Sequence, residues 1–310
     1  MAARGRRKKV VNGIVLVNKA AGLTSRDVVK QVTRIYSAKK AGHTGTLDPF
    51  ATGLLPVCLG EATKVSGLLL ASDKRYIATL GLGVETDTGD HDGEIIEQMA
   101  VPPLTREKIE AVLELFRGEI LQVPPMYSSL KFEGQSLHVY ARKGIEIERE
   151  PRQVQIMDLT LLDFDQHQIR FEVYCTKGTY VRVLGEDIAK ALGTVGHLTA
   201  LHRTQTGVFK ADMMRDLDEI AMFRVTNLLP IDIALVDHEA IYLTVEQKNH
   251  LWLGGFLFDV KPQNPEKDCL VRLYNEHQQI FAIGEWRADK QRLKIKRGFN
   301  VDPSLDSHAQ

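Results

Sequence analysis

The most constrained stretch of this 310-residue sequence is Gly42–Pro56, which reads GHTGTLDPFATGLLP. Three glycines and two prolines among its fifteen residues predict a fixed, non-repetitive backbone rather than a helix or a long strand. Asp48 lies near its centre, and Pro49 favours an extended backbone at the residue before it. Two interpretations of Asp48 follow from the residues alone: its side chain caps a turn, or the loop presents a functional carboxylate.

The flanking segments predict a mixture of strands and helices. Residues 14–17, Ile-Val-Leu-Val, are typical of a strand that is buried on both faces. Thr24 or Ser25 can cap a helix that ends near Lys39 and Lys40, where cations suit the helix dipole. The same rules predict a helix between Thr105 and Gly118, a strand over 169–175 and a helix over 183–192 that ends at Gly193. Because these elements do not alternate in a regular βαβ order, we expect an α+β domain rather than a doubly wound sheet.

Composition and length bound the number of domains. The chain is 44% hydrophobic and 26% charged, which is typical of globular protein, and its length suits two domains or one large domain with an appendage. We predict a basic tail over residues 1–11, a main domain over 12–235 and a small β-rich domain over 238–302. Short apolar runs after Pro230 support the small domain.

Charge gives only local signals for a polyanionic partner. Lys plus Arg number 40 and Asp plus Glu also number 40, so the formal net charge is zero. One basic run, from Arg4 to Lys9, stands out at the N-terminus. Such a run is either a solvated tail or an arm that contacts phosphates.

Residues 124–152 have a different character from the rest of the chain. Hydroxyls, aromatic rings and cations are mixed there with little apolar periodicity, as in Tyr127, Ser128, Tyr140 and Arg149. An insertion of this kind could clamp a nucleic acid by pairing with phosphates and stacking on bases. The alternative is an ordinary exposed loop and helix.

Several classes of site are excluded by their missing motifs. No segment supplies a phosphate-binding P-loop, and Gly81 and Gly83 lack the third glycine of a dinucleotide site. A calcium loop aligned on Gly93 would begin at Thr88 and end at Met99, where carboxylates are required. His197 and His202 have a spacing seen in zinc modules, but no cysteine pair accompanies them. We therefore expect neither a metal nor a nucleotide cofactor.

The cysteines and the apolar runs indicate the cellular compartment that we expect for this protein. Cys58, Cys175 and Cys269 are far apart in the sequence, which argues against a disulfide framework and indicates a reducing environment. No apolar stretch approaches the length that spans a bilayer. We expect a cytoplasmic protein with no membrane association.

Gly42–Pro56 resembles the signature of the TruB family of bacterial tRNA pseudouridine-55 synthases. The resemblance runs in the family's order from residue 12 to about 210. Two departures stand out: Ala20 replaces a proline, and His138 replaces an aromatic hydroxyl residue in the insertion. The further matching motifs are Gly60–Lys64, Asp73–Tyr76, Thr86–Asp90, Pro125–Ser128, Lys177–Arg182 and Leu201–Thr204.

The resemblance implies a fold and an activity. The fold is α+β: a pseudouridine synthase catalytic domain over 12–235 with a mixed, largely antiparallel sheet, an RNA-clamping insertion over 124–152, and a PUA-like RNA-binding domain over 238–302. The activity is the isomerisation of uridine 55 in the T arm of tRNA, through base flipping and an essential aspartate, with no cofactor. The implied partner is the T-arm stem-loop of tRNA; we see no sign of a protein partner and expect a monomer.

The resemblance also assigns roles to individual residues. Asp48 becomes the essential carboxylate, Arg182 its cationic partner, and Asp90 a second carboxylate that fixes the arginine. Tyr76 becomes the aromatic platform for a flipped base. The remaining expected substrate contacts are His43, which intrudes into the RNA loop, Tyr180, Leu201 and Lys64.

Two rival functions stay open on the sequence. A non-catalytic RNA-binding protein could share the scaffold, although it would have no physical need for Asp48, Arg182 and Tyr76 together. A nucleoside hydrolase could also use an aspartate, but it would release free uracil, whereas an isomerase retains the base.

Overall fold

A large mixed sheet organises most of the chain. The computed structural model describes residues 9–300, so that most of the predicted basic tail over 1–11 lies outside the described residues. In chain order the strands are β1 (Gly13–Lys19), β2 (Ala41–His43), β3 (Thr52–Leu59), β4 (Lys74–Leu82), β5 (Val84–Thr86), β6 (Ile95–Gln98), β7 (Gly118–Gln122), β8 (Lys131–Phe132), β9 (Gln135–Ser136), β10 (Arg152–Phe164), β11 (Gln168–Cys175), β12 (Gly196–Thr206), β13 (Phe209–Lys210), β14 (Glu239–Tyr242), β15 (Cys269–Tyr274), β16 (Ile280–Arg287) and β17 (Arg292–Gly298).

Helices flank these strands. Short 3₁₀ turns lie at Gly60–Lys64, Ala211–Met213, Ile231–Leu235 and Ala288–Lys290. None of the helices within residues 9–300 is long and apolar enough to cross a bilayer. The α-helices are α1 (Ser25–Tyr36), α2 (Ser66–Leu70), α3 (Arg106–Glu114), α4 (Leu137–Ala141), α5 (Val181–Leu192), α6 (Leu217–Met222) and α7 (Val245–Trp252).

The nine-stranded sheet has the order β1-β3-β12-β4-β11-β10-β7, with β2 beside β3 and β13 beside β12. Among the strands of this sheet, β3 and β12 pair in parallel, through His202 with Thr52 and Arg203 with Gly53. The other neighbours in the sheet are antiparallel. The expected mixed, largely antiparallel α+β architecture is confirmed. Its one parallel junction brings the start of β3, just after Asp48, against the middle of β12.

The strand predictions from residue alternation are confirmed. Ile14, Val15, Leu16 and Val17 are all buried, as expected for a strand covered on both faces. In β11, Ile169, Phe171, Val173 and Cys175 are buried while the residues between them are less so. This buried row faces the main core, which α3 and α5 help to cover.

The predicted helix boundaries were only partly correct. Thr24 caps α1 by accepting a hydrogen bond from the Asp27 amide. The helix stops at Tyr36, because Ser37 adopts a left-handed backbone with φ of 52°, so the expected end near Lys39 and Lys40 was wrong. The helix after Thr105 likewise stops short of Gly118. α5 begins two residues earlier than expected and ends at left-handed Gly193, as expected.

A second, four-stranded sheet of order β14-β15-β16-β17 forms the C-terminal β-rich domain. It has its own core around Val271, Leu273 and the fully buried Trp286. A further apolar cluster joins Ile283 and Phe299 of this domain to Ile14, Leu16 and Leu54 beneath the large sheet. The small domain is therefore packed on the large one rather than held by a linker alone.

The segment over 124–152 leaves the large sheet between β7 and β10. It contains the β8–β9 hairpin and the short helix α4. Arg149 Nε donates to the Pro124 carbonyl oxygen at 3.0 Å, which joins the two ends of the segment. The segment is thus an insertion with local structure of its own.

Candidate active site

The loop that carries Asp48 is fixed from both sides by the sheet. Gly53 has a φ of +97°, and a Cβ there would lie 2.4 Å from the Arg203 carbonyl oxygen. Only glycine allows the loop to approach β12 this closely. The Asp48 carbonyl accepts from the Ala51 amide at 3.1 Å, so a turn begins at Asp48, but its side chain points elsewhere.

Residues between β1 and α1 hold the other side of this loop. The buried Lys19 ammonium donates to the carbonyls of Leu23 at 2.6 Å and Pro49 at 3.0 Å. The Ser25 hydroxyl accepts from the Leu47 amide at 2.8 Å. Both neighbours of Asp48 are thereby anchored. The carbonyl of Ala20, one of the two departures from the family pattern, accepts from the Lys19 ammonium at 3.0 Å.

The Asp48 carboxylate forms an ion pair with Arg182. Arg182 Nε lies 3.1 Å from Asp48 Oδ2, and Arg182 Nη1 lies 3.3 Å from Asp90 Oδ2. The arginine and Asp90 side chains are almost fully buried, whereas the Asp48 side chain is 33% exposed. The carboxylate is therefore reachable from solvent, while the groups that orient it are not.

Backbone carbonyls complete the surroundings of the guanidinium. Arg182 Nη1 donates to the Thr88 carbonyl at 2.5 Å, and Nη2 donates to the Tyr127 carbonyl at 2.7 Å. Every nitrogen of the planar guanidinium is thus engaged, which fixes its orientation. Arg182 comes from the first turn of α5, Thr88 from the loop after β5, and Tyr127 from the insertion.

Opposing influences act on the charge of Asp48. The pKa of the Asp48 carboxyl lies above its ordinary value, chiefly because burial raises it, and Asp90 adds to this effect. Arg182 lowers the pKa most among the cations, followed by Lys19 and Arg203, and these cations favour the ionised form. Loss of Arg182 would therefore raise the pKa further and favour the neutral acid.

A cavity of about 230 Å³ opens beside Asp48. Of the residues expected to contact substrate, Tyr76, Tyr180 and Leu201 line it, together with Arg182. Burial raises the pKa values of Tyr76 and Tyr180, so both phenols are neutral near pH 7. The other lining residues include Gly45, Thr46, Leu70, Lys74, Tyr127, Ser128, Cys175, Thr179 and Arg203.

Two of the expected substrate contacts lie away from this cavity. His43 ends β2, and its Nδ1 accepts from the Gly45 amide at 3.4 Å. Burial lowers the pKa of the His43 imidazole, and Arg203 adds to the effect, which favours the neutral ring near pH 7. Lys64 already pairs with Glu61 at 2.6 Å and donates to the Gly298 carbonyl at 2.8 Å. Its ammonium joins the two domains, and its predicted contact with substrate stays a prediction.

The structure adds functional candidates that the motifs did not single out. Arg203 is fully buried, and its guanidinium donates to the Leu54 carbonyl at 2.8 Å and the Gly45 carbonyl at 3.2 Å. Lys74 lines the cavity, and burial lowers its pKa to about 8. Both lie inside motifs that matched the family, but only their position in space shows that they border the cavity.

The two histidines with zinc-like spacing bind other groups. His197 Nδ1 lies 2.8 Å from the Val84 carbonyl oxygen, and His202 Nδ1 lies 2.8 Å from the Thr52 hydroxyl. Within residues 9–300, no three His, Cys, Asp or Glu side chains are grouped so that they could hold a metal ion.

Comparison with solved structures shows the fold. A chain in the crystal structure of a Cbf5-Nop10-Gar1 complex superposes with a TM-score of 0.69 at 23% identity, covering 92% of this chain and 84% of that one. A chain in an H/ACA RNP bound to a substrate RNA containing 2′-deoxyuridine gives a TM-score of 0.67 at 20% identity, covering 94% and 86%.

Comparison of sequences shows the family. The model of the TruB family pseudouridylate synthase N-terminal domain matches residues 33–181, and that of the tRNA pseudouridylate synthase B C-terminal domain matches 182–235. The tRNA pseudouridine synthase B of Hydrogenovibrio crunogenus is 55% identical over 96% of this chain and 97% of its own. That of Francisella philomiragia is 44% identical over 94% and 96%. The resemblance drawn from Gly42–Pro56 is confirmed, and the chain belongs to the TruB family of pseudouridylate synthases.

Proposed function

We propose that the protein is a tRNA pseudouridine synthase that isomerises uridine 55 in the T arm, with Asp48 as its essential carboxylate. Two curated relatives at 55% and 44% identity carry the name tRNA pseudouridine synthase B, which supports tRNA as the substrate. The family signature in Gly42–Pro56 supports position 55. We further propose a cytoplasmic enzyme that acts as a monomer and needs no cofactor.

One observation carries the proposal: a partly exposed carboxylate lies beside a cavity and is ion-paired to a buried arginine. The reaction breaks the N1–C1′ bond of uridine, turns the uracil, and forms a C5–C1′ bond; C5 loses a proton and N1 gains one. It involves no net redox change. An ionised aspartate can serve as nucleophile at the sugar or base, or as a base that removes a proton. Arg182 favours that ionised form and opposes the effect of burial.

The cavity suits a base that has left its stack. A uridine within folded RNA must be flipped out before its N1–C1′ bond can be reached. Tyr76 offers an aromatic face and Leu201 an apolar wall, both within the lining that contains Asp48. The flipped uracil would stack on Tyr76 with its glycosidic bond toward the carboxylate.

The insertion and the C-terminal domain, outside the cavity, would bind the RNA. The insertion over 124–152 is close to the site, since Tyr127 and Ser128 line the cavity. The C-terminal domain is less basic in effect than its sequence suggests, because Lys294 and Lys296 both pair with Glu285, at 2.9 and 3.0 Å. Arg297 remains exposed on the same strand. We propose that both regions bind phosphates while the chemistry stays at Asp48.

A tRNA transcript with tritium at uridine C5 tests the proposal. The purified protein should release tritium and leave one pseudouridine, which maps to position 55. A transcript with cytidine at position 55 is the matched control and should release none. Free uracil would identify a nucleoside hydrolase instead, and binding without tritium release would identify an RNA-binding protein.

A further inference from the structure

Tyr127 forms one hydrogen bond with Arg182 and another with Asp87, in the loop that also contacts the arginine. Its carbonyl oxygen accepts from Arg182 Nη2 at 2.7 Å. Its hydroxyl donates to Asp87 Oδ2 at 3.0 Å. The other oxygen of Asp87 accepts from the Glu94 amide at 2.9 Å. The insertion is thereby tied to the loop between β5 and β6 through one residue.

That loop holds the opposite side of the guanidinium. The Thr88 carbonyl accepts from Arg182 Nη1, and Asp90 pairs with the same nitrogen. The Thr88 hydroxyl in turn donates to Asp90 Oδ1 at 2.7 Å. Two separate segments, the loop and the insertion, thus meet on the guanidinium. The Tyr127–Asp87 hydrogen bond joins these segments directly.

These contacts fix the orientation of the Arg182 guanidinium because that group is planar. Its three nitrogens lie in one rigid plane, so fixing Nη1 and Nη2 also fixes the direction of Nε. Nε is the atom that faces Asp48 Oδ2 at 3.1 Å. A shift of the Tyr127 carbonyl would therefore change the geometry of the Asp48 ion pair.

We propose that Tyr127 is a positioning residue that couples the insertion to Arg182 and so orients the arginine toward Asp48. The proposal rests on the proposed role of Asp48 in catalysis. Tyr127 acts through the arginine and needs no contact with the reacting atoms. RNA bound along the insertion would then influence the charge at the site through this residue.

Tyr127→Phe tests the coupling, because it keeps the ring and the carbonyl and removes only the hydroxyl that anchors them to Asp87. We expect the single-turnover rate at saturating enzyme to fall about three- to tenfold, as the loss of one hydrogen bond would give. tRNA affinity should stay within about twofold, since the hydroxyl bonds to protein. The acid limb of the pH–rate profile should move to higher pH, because a displaced Arg182 lowers the pKa of Asp48 less effectively.

Tyr36→Phe is the matched control. Tyr36 ends α1, and its hydroxyl donates to the Arg224 carbonyl at 2.8 Å, away from the cavity and the insertion. The same chemical change there leaves the contacts of Arg182 untouched. Its rate and pH profile should equal those of the parent protein.

A double-mutant cycle with Asp87→Ala separates coupling from simple loosening. In that background the Tyr127 hydroxyl has already lost its partner, so Tyr127→Phe should cost no further rate. The proposal would be overturned by equal costs in both backgrounds or by a Tyr127→Phe protein that matches Tyr36→Phe. A loss confined to tRNA affinity would overturn it too. A fully active Asp48→Asn protein would overturn the proposed function as well; if that protein is inactive, the Tyr127→Phe result tests the coupling alone.

Discussion

The Lys19 ammonium donates to the Pro49 carbonyl oxygen at 3.0 Å, across thirty positions of sequence. This contact ties the end of β1 to the residue that follows Asp48. Lys19 is fully buried, and its ammonium also bonds to the carbonyls of Ala20 and Leu23. A buried ammonium therefore holds the backbone next to Asp48 in place.

Lys19→Met should lower the free energy of unfolding by about 1–3 kcal/mol at pH 7, because it leaves buried carbonyls without donors. Urea denaturation measures this, with exposed Lys30→Met as the control.

Burial lowers the pKa of Lys19 from 10.5 to about 8. Between these pH values the unfolded chain binds a proton that the folded chain lacks, so stability rises with pH. Lys74 adds to this rise; Lys19→Met should reduce it, and an unchanged slope would contradict this account.

Tyr76→Leu should damage catalysis more than Tyr76→Phe. Stacking needs the aromatic ring before it needs the hydroxyl, and phenylalanine keeps the ring at nearly the same volume. Single-turnover rates with saturating enzyme would compare the two. Equal losses would mean that the hydroxyl is what matters, as a proton carrier or as a partner of neighbouring groups.

The exposed cations of the C-terminal domain should contribute to RNA affinity, and the paired ones should contribute less. Replacing both Lys290 and Arg297 by Gln should flatten the log affinity against log salt slope by about 1.4–1.8, at 0.7–0.9 for each phosphate contact. Lys294→Gln with Lys296→Gln is the matched control, because both ammonium groups already pair with Glu285, which offsets part of their charge. A larger flattening of the salt slope by the Lys294 and Lys296 substitutions would contradict this prediction. The single-turnover rate should be the same in all variants.

Sequence patterns predicted the features that depend on nearby residues. The alternation from Ile169 to Cys175, the Thr24 cap and the Gly193 helix end each follow from a few adjacent side chains, and the structure confirms them. The early end of α1 at Ser37 was missed, because neither Ser37 nor its neighbours carry the usual glycine signal.

The site was predictable only where a motif named its residues. Arg182, Asp90 and Tyr76 were placed by resemblance, and the structure brings them around Asp48. The hydrogen bond from Lys64 to the Gly298 carbonyl joins two residues 234 positions apart in sequence and depends on the packing of the two domains. The hydrogen bonds of Tyr127 with Asp87 and Arg182 likewise depend on tertiary structure, so no local sequence pattern predicts them.

We propose that the Asp48 carboxylate is essential to the chemistry and not to RNA binding. Asp48→Asn removes its charge with little change in volume, and exposed Asp259→Asn provides the same change away from the site. The decisive measurement is single-turnover pseudouridine formation at position 55, beside tRNA affinity in the same buffer. We predict no turnover by Asp48→Asn, affinity within a few-fold of the parent, and full activity for Asp259→Asn. Pseudouridine formation by Asp48→Asn at a rate near that of the parent would contradict the account.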